Sequence, residues 1–277
     1  MRWKQLLAPA KNLDTHAAKA YMDEHKEGTF TLLDVRQPGE YENDRIPGAK
    51  LIPLTELSNR LGELDPEKPV ITYWAIGGRS RAAAQLLQGK GFNEVYNLSG
   101  GIKAWQGLTT EGPEDMGMVF LKGDEAPVEV IRLAYGMEMG LGEFYTLMAE
   151  STNDSEMAAM LSKLAGFEEK HKLRLLELYR TIDQSSIDQK TFESDIDASV
   201  MEGGFTTEEF LEKNKSFLQT VADVLSIAMM LEAQAMDLYM RYADKSAEAK
   251  TKEIFFGLAE EEKIHLKYLG ELLDHKA

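Results

Sequence analysis

The chain has 277 residues, which is enough for two domains that each bury their own core. Its 47 acidic and 31 basic residues give a formal net charge of −16, which disfavours nucleic acid or an anionic membrane surface as a partner. The chain contains no cysteine, which excludes a disulfide, a thiolate zinc site, a rubredoxin-type iron centre and a cysteine persulfide. Any bound metal must therefore be held by oxygen and imidazole nitrogen.

The N-terminal segment is partly basic but contains no long apolar run, and no later segment has the uninterrupted apolar length of a membrane span. We therefore expect a cytoplasmic protein without a membrane partner.

Short β-rich apolar runs alternate with helical stretches in the N-terminal part of the chain. The runs predict strands at residues 29–35, 69–74 and 94–98, with a helix over residues 79–90. Such alternation is typical of an α/β domain with a mainly parallel sheet and flanking helices. We assign residues 1–108 to this domain.

Apolar residues recur at helical spacing in the C-terminal part, residues 127–277, and β-rich runs are absent from it. The predicted helices span residues 127–150, 155–180, 207–243 and 247–275. This pattern predicts an all-α four-helix bundle, with residues 181–206 as a polar crossover between two helical hairpins. The Gly-, Pro- and acid-rich residues 109–126 are predicted to be a linker.

The predicted bundle repeats itself at an offset of 94 residues, the distance from Glu138 to Glu232. The repeated polar residues are Glu138, Glu168 and His171 in the first hairpin and Glu232, Glu262 and His265 in the second. In each hairpin the lone glutamate precedes the Glu-x-x-His pair by 30 residues, so the midpoints fall near residues 153 and 247, in turn-like stretches. If the chain reverses there, about 15 residues at about 1.5 Å each bring the two glutamates to one level.

This set of residues predicts a two-metal site. Glu and His three residues apart lie on one helix face, so each pair can bind one ion together with the lone glutamate of the preceding helix. Four carboxylates and two imidazoles suit two divalent ions, and ligands without sulfur favour iron, manganese or a mixed pair over structural zinc. A single Glu-x-x-His is more often a solvated face, but burying two copies of it without metal would be costly.

Tyr145 and Tyr239 follow the lone glutamates by seven residues, or two helical turns, and therefore share their helix face. They can hydrogen-bond the ligand carboxylates or serve as core packing.

The ligand pattern resembles the ferritin-like superfamily, and its rubrerythrin and bacterioferritin members most closely. The resemblance covers residues 127–277 and implies a di-iron centre held by the six repeated residues. Rubrerythrins usually carry another glutamate one turn after the third-helix ligand, where this chain has Ala235. They often also carry a rubredoxin domain, which the absence of cysteine excludes.

The resemblance implies an oxidoreductase that reduces hydrogen peroxide, or O2, to water. Because the chain has no second redox centre, we expect an external electron donor such as a rubredoxin or a flavoprotein, and a homodimer rather than a storage shell. Two alternatives remain. One is a ferroxidase or iron-handling protein whose substrate is ferrous iron, and the other is a non-enzymatic metal-binding scaffold that recruits a partner.

Three ordered motifs, at residues 32–54, 73–87 and 97–105, resemble a rhodanese domain. Rhodaneses place a catalytic cysteine at the start of a Cys-x-x-Gly-x-Arg-Ser loop, and Trp74 stands at the matching position. The rest of the loop is Ala75, Ile76, Gly77, Gly78, Arg79 and Ser80. Because indole cannot accept a sulfane sulfur, we expect no sulfurtransferase activity.

Two interpretations of this loop remain: a residual anion pocket formed by its backbone N–H groups with Arg79, or a docking module whose site is plugged by Trp74. The second is favoured because a large ring at the start of the loop should crowd the cradle. Asp34 and Arg36 match the family's Asp-Val-Arg motif and are expected to brace the loop, whereas Arg45 stands where the family commonly has a histidine.

Overall fold

The computed structural model describes residues 11–76, 78–105, 107–118, 123–196 and 220–274. The chain divides into two compact units, Met1–Asp115 and Met116–Ala277. Among the described helices, none combines the length and apolar content that a bilayer crossing requires.

Five parallel strands form the sheet of the first unit. They are β1 (Lys11–Leu13), β2 (Thr31–Asp34), β3 (Lys50–Leu51), β4 (Val70–Tyr73) and β5 (Val95–Leu98), in the spatial order β1-β5-β4-β2-β3. The predicted parallel sheet is confirmed, and the three predicted strands correspond to β2, β4 and β5. The sequence does not predict β1 and β3, because runs of three and two residues are too short to show alternation.

The helices described in this unit cover both faces of the sheet. They are α1 (Thr15–Glu24), α2 (Pro38–Asn43), α3 (Gly78–Gly89) and α4 (Gly101–Ala104). Successive residues of a strand point to opposite faces, so Leu32 and Leu33 of β2 belong to separate apolar clusters. The cluster of Leu33 includes Ala83 of α3, and the cluster of Leu32 includes Ala18 of α1.

The second unit is helical. Its described helices are α5 (Pro127–Ser151), α6 (Ser155–Asp183), α7 (Gln189–Glu193), α8 (Val221–Lys245) and α9 (Ala249–Asp274). The chain reverses over residues 152–154 and 246–248, at the two predicted midpoints. Asp154 begins α6 by accepting hydrogen bonds from the backbone N–H groups of Glu156 and Met157.

The third long helix begins later than predicted. Thr220 is extended, and its hydroxyl accepts a hydrogen bond from the Asp223 N–H at 3.1 Å. The Asp223 carboxylate in turn accepts from the Thr220 N–H at 2.8 Å. Because this capping box starts the helix at Val221, the prediction of one unbroken helix over residues 207–243 is wrong. Residues 207–219 lie outside the described part of the chain.

The crossover predicted at residues 181–206 contains a buried anchor. Helix α7 lies in this segment, of which residues 197–206 lie outside the described ranges. Its Phe192 is fully buried, with ring-centroid distances of 5.0 Å to Tyr135 and 4.6 Å to Tyr179. The crossover is therefore partly held against the bundle by aromatic packing.

Residues of the predicted linker are bonded within both units. Arg45 forms a backbone bridge with Thr110 and donates from its guanidinium to the Gly112 carbonyl at 2.7 Å. In the second unit, the hydroxyl of Tyr242 donates to the Gly117 carbonyl at 2.6 Å. The fully buried Arg45 is therefore a structural residue of the first unit.

Candidate metal centre

The candidate ligands form a polar layer between two apolar clusters of the bundle. On each long helix, residues of one cluster precede the candidate ligands and residues of the other follow them. One cluster includes Val130, Leu175, Leu238 and Phe255, and the other includes Leu141, Leu164, Leu225 and Leu269. Apolar side chains thus enclose the four carboxylates, each of which is at most 3% exposed.

The first hairpin brings together Glu138 of α5 with Glu168 and His171 of α6. His171 Nδ1 lies 3.2 Å from Glu138 Oε2 and 3.0 Å from Glu168 Oε2. One ligand atom from each residue lies within 4.8 Å of the other two, which is close enough for a single ion.

The second hairpin repeats this arrangement with Glu232 of α8 and with Glu262 and His265 of α9. His265 Nδ1 lies 2.9 Å from Glu262 Oε2 and 3.6 Å from Glu232 Oε2. These three residues meet the same 4.8 Å limit. The repeat seen in the sequence is therefore also a repeat of side-chain geometry.

The two groups face each other across the bundle. The imidazole rings of His171 and His265 stack with their centroids 4.0 Å apart and their planes 10° apart. The structure thus brings all six predicted residues into one layer with two adjacent binding positions.

The carboxylates of this layer have unequal proton affinities. Burial raises the pKa of Glu168, and the charge of Glu232 adds to this effect while contact with His171 opposes it. Burial also acts to raise the pKa of Glu232, but contacts with Glu262 and His265 outweigh it and lower the pKa overall. The surroundings of Glu168 therefore favour its neutral form, whereas those of Glu232 favour its charged form.

The imidazole of His171 holds a proton strongly in the metal-free centre. Burial acts to lower its pKa, but the carboxylates of Glu138 and Glu168 outweigh burial and raise the pKa to about 11. A metal ion that binds at Nδ1 must displace this proton.

The donor set fits a pair of metal ions. Oε2 of Glu168 and Oε2 of Glu232 are buried without a hydrogen bond, although each lies beside a histidine Nδ1. Four buried carboxylates share this layer with two imidazoles, so the negative charge exceeds what protonated His171 alone balances, and uncompensated buried charge is costly. Both triads are therefore compatible with metal binding.

Tyr145 and Tyr239 are both buried, in different apolar clusters of the bundle. The ring of Tyr145 lies 5.4 Å from that of Phe144, and the ring of Tyr239 lies 6.3 Å from that of Phe255. Ala235, at the position of the additional rubrerythrin glutamate, is buried in the same cluster as Tyr239 and offers no ligand.

Sequence reasoning missed a polar network beside the centre. Glu193 of α7 accepts hydrogen bonds from the Tyr135 hydroxyl at 2.7 Å and from Lys172 Nζ at 3.1 Å. Lys172 follows the candidate ligand His171 and also contacts Glu169 at 2.8 Å. The signal in the sequence is weak, because Lys172 has leucine at the equivalent position of the second hairpin.

In the first unit, the indole of Trp74 lies against the start of α3. The Arg79 guanidinium stacks 4.6 Å from the ring centre, and a Cβ placed on Gly78 would lie 3.8 Å from Trp74 Cζ3. The indole N–H is buried without a hydrogen-bond partner. Of the other predicted loop residues, Ile76 is 61% exposed and Ser80 is buried, whereas Gly77 lies outside the described residues.

Carbonyl groups of the loop are bonded to the start of α4. The N–H groups of Ile102 and Lys103 donate to the carbonyls of Trp74 and Ala75, at 2.8 and 3.2 Å. Gly101, with φ of +60°, permits this contact, because a Cβ there would lie 2.0 Å from the Trp74 carbonyl oxygen. These hydrogen bonds hold the start of the loop against α4.

The Asp34 and Arg36 pair of the first unit is buried and bidentate. Arg36 donates from Nε to Oδ1 and from Nη2 to Oδ2 of Asp34, and its Nη1 reaches Asp44 at 2.8 Å. This pair braces the segment that follows β2.

Comparison with known proteins identifies two families along the chain. Residues 16–108 match the family described as Rhodanese-like domain, and residues 129–273 match the family described as Rubrerythrin.

Curated relatives match part of the chain. The uncharacterized protein YqhL of Bacillus subtilis (strain 168) is 47% identical over 76 residues, which cover 27% of this chain and 60% of that protein. The putative sulfur carrier protein YrkF of the same organism is 35% identical over 101 residues, which cover 36% of this chain and 52% of that protein. The chain thus spans about half the length of these relatives. The crystal structure of the Alr3790 protein from Anabaena sp. is 34% identical, with a TM-score of 0.34, and the match covers 39% of this chain and 85% of that chain.

Proposed function

The chain belongs to the rubrerythrin family through residues 129–273, and we propose that its bundle is a di-iron oxidoreductase that reduces hydrogen peroxide, or O2, to water. One peroxide molecule takes up two electrons and two protons and yields two water molecules, whereas one O2 molecule takes up four of each and yields the same product. The electrons come from an external donor, a rubredoxin or a flavoprotein, since the chain has no cysteine for a redox centre of that kind.

The observation that carries this proposal is the pair of facing Glu/Glu/His groups with stacked imidazoles. Glu138, Glu168 and His171 hold one ion, and Glu232, Glu262 and His265 hold the other. Four carboxylates balance the charge of two divalent ions, and manganese or a mixed pair is compatible with the same ligands.

Bound iron would supply the redox chemistry, with one electron per ion for each peroxide, and the external donor would restore those electrons. The protein contributes apolar clusters on both sides of the ligand layer along the bundle axis, which limit the access of water from these two directions.

A stopped-flow experiment tests the proposal. Protein loaded anaerobically with ferrous iron is mixed with hydrogen peroxide, and oxidation is followed by the rise of ferric absorbance. We expect oxidation much faster than that of free ferrous iron, and we expect His171→Ala to abolish this advantage. His16→Ala is the matched control, because it removes an exposed imidazole of the first unit. Oxidation of the wild type at the rate of free ferrous iron would contradict the proposal.

The same ligands would serve a ferroxidase, which is distinguished by the fate of the iron. An oxidoreductase keeps both ferric ions and returns to the ferrous state when a reductant is added. A ferroxidase releases ferric iron after oxidation. Chelator capture of iron after one turnover separates the two, and sedimentation tests the expected homodimer.

For the first unit we propose a docking role without sulfurtransferase activity. The position of Trp74 against the start of α3 supports this role. The indole and the Arg79 guanidinium stacked on it occupy the space in which the loop would bind a substrate anion. The partner would be a protein that recognises the exposed side of this loop, including Ile76. Pull-down with the wild type and with Ile76→Ser tests this role, which predicts that the variant loses its partner.

A further inference from the structure

A cavity of about 280 Å³ lies between α5 and α6, directly over the first group of ligands. The buried carboxylates of Glu138 and Glu168 form part of its lining, and exposed Glu143, Thr146 and Glu169 lie at its outer side. The cavity therefore connects the ligand layer with the protein surface.

The absence of a side chain at Gly142 keeps this cavity open. Gly142 lines the cavity, and a Cβ built on it would lie 3.3 Å from Glu168 Cβ. Any larger side chain at this position would thus fill the space above the ligand.

The equivalent positions of the second hairpin carry larger side chains. At the offset of 94 residues, Gly142 corresponds to Met236 and Thr146 corresponds to Met240. Met236 is 5% exposed and belongs to an apolar cluster of the bundle, against which Met240 packs. The ligands repeat in the two hairpins, but the small residues Gly142 and Thr146 do not.

The charges of the cavity favour a cation. Glu143 and Glu169 lie at the outer side, and buried Glu168 Oε2 has no hydrogen bond at the inner side. The one lysine of the lining, Lys172, is held by ion pairs with Glu169 and Glu193 at 2.8 and 3.1 Å. The cavity thus presents carboxylates at both ends, which attract a divalent ion.

We propose that this cavity is the route by which divalent metal ions enter and leave the centre, so that exchange takes place through the α5–α6 face and not the α8–α9 face. This route rests on the proposed function in one respect, which is that the six candidate ligands bind metal. It assigns transport roles to Gly142, Thr146 and Glu143, none of which is a candidate ligand.

The test uses the rates of cobalt binding to the full chain. Co2+ is mixed with metal-free protein in a stopped-flow instrument, its ligand-field absorbance is recorded, and its release to an excess of chelator is timed. Gly142→Met and Thr146→Met place in the cavity the methionines that the second hairpin has at the equivalent positions. Both variants should slow association and release by on the order of tenfold, because a packed side chain must then move, while the equilibrium Kd stays unchanged.

A second pair of variants tests the charge. Glu143→Gln should slow cobalt association by about fivefold at low ionic strength, and the effect should diminish with added salt. Glu271→Gln is the matched control, since it removes one exposed glutamate of α9 and should leave the rate unchanged.

Wild-type rates in both methionine variants would overturn the route while leaving the metal centre intact. If Gly142→Met also raises the equilibrium Kd through its contact with Glu168, the rates of Thr146→Met test the route instead, because Thr146 lies at the exposed side of the cavity. Peroxide oxidation of protein that is already loaded with iron tests the proposed function separately. Failure of the wild type to bind cobalt would overturn the route as well.

Discussion

Replacing Glu168 by glutamine should change the stability of the metal-free and metal-loaded protein in opposite directions. In the metal-free bundle this carboxylate is 1% exposed, its Oε2 has no hydrogen bond and its pKa is raised by burial. Glutamine has nearly the same shape and no charge. At neutral pH the metal-free Glu168→Gln variant should therefore be more stable by on the order of 1 kcal/mol, because a carboxylate with a raised pKa in the folded state destabilises the fold when it is charged.

The gain should depend on pH with a definite sign. Because the pKa of Glu168 is higher in the folded protein than its ordinary value of 4.5, the folded state binds this proton more tightly than the unfolded state. The carboxylate therefore destabilises the fold increasingly as the pH rises from about 4.5 through the raised pKa. The advantage of glutamine should disappear below that window.

With metal bound, the sign reverses because the variant lacks a ligand. A metal at a hundred times its Kd stabilises a protein by about 2.7 kcal/mol per site, and Glu168→Gln should lose most of that gain at its own site. Glu232→Gln is the comparison, since its pKa is lowered in the folded protein and removal of its charge should destabilise the metal-free form.

Urea unfolding followed by helical circular dichroism, with chelator or with excess Mn2+, measures all of these differences. A metal-free Glu168→Gln variant that is less stable than the wild type would show that the charged carboxylate does not destabilise the fold. A shift of metal-free stability in the same direction in the Glu168 and Glu232 variants would contradict the opposite pKa shifts of the two carboxylates.

Three further predictions concern the proton, the crossover and the first unit. Since the pKa of His171 is raised to about 11, metal must displace its proton. Co2+ affinity around neutral pH should therefore rise about tenfold per pH unit, and an affinity independent of pH would be inconsistent with this account. Phe192→Ala should destabilise the bundle by roughly 3–5 kcal/mol in urea unfolding, and no measurable change would show that α7 is not anchored. Thiosulfate sulfurtransferase activity should be absent from the purified protein, so turnover in a standard thiocyanate assay would overturn the interpretation of Trp74.

Long periodic segments and the internal repeat made much of the fold predictable. The spacing of Glu138 and Glu168 predicts the first reversal, and the i, i+3 spacing of Glu168 and His171 predicts their shared face. The structure confirms the two reversals and brings the six residues together.

Other features depend on tertiary contacts that periodicity does not report. The capping box of Thr220 and Asp223 begins the third long helix at Val221. The sequence does not predict this start, because threonine and aspartate also occur inside helices. Phe192 is a single aromatic residue in a polar segment, so its burial depends on Tyr135 and Tyr179 from other helices.

The repeat itself conceals the asymmetry of the centre. The repeat identifies the residues that are the same in both hairpins, whereas the cavity lies at a position where the hairpins differ, with Gly142 in the first and Met236 in the second. The opposite pKa shifts of Glu168 and Glu232 likewise follow from burial and neighbouring groups in three dimensions.

The number of iron ions bound per chain tests the central claim most directly. Anaerobic titration of the metal-free protein with ferrous iron, followed by removal of unbound metal and elemental analysis, should give two ions per chain. His171→Ala and His265→Ala should each give one. A wild-type chain that retains no iron, or variants that retain as much as the wild type, would contradict the assignment of the two triads as a metal centre.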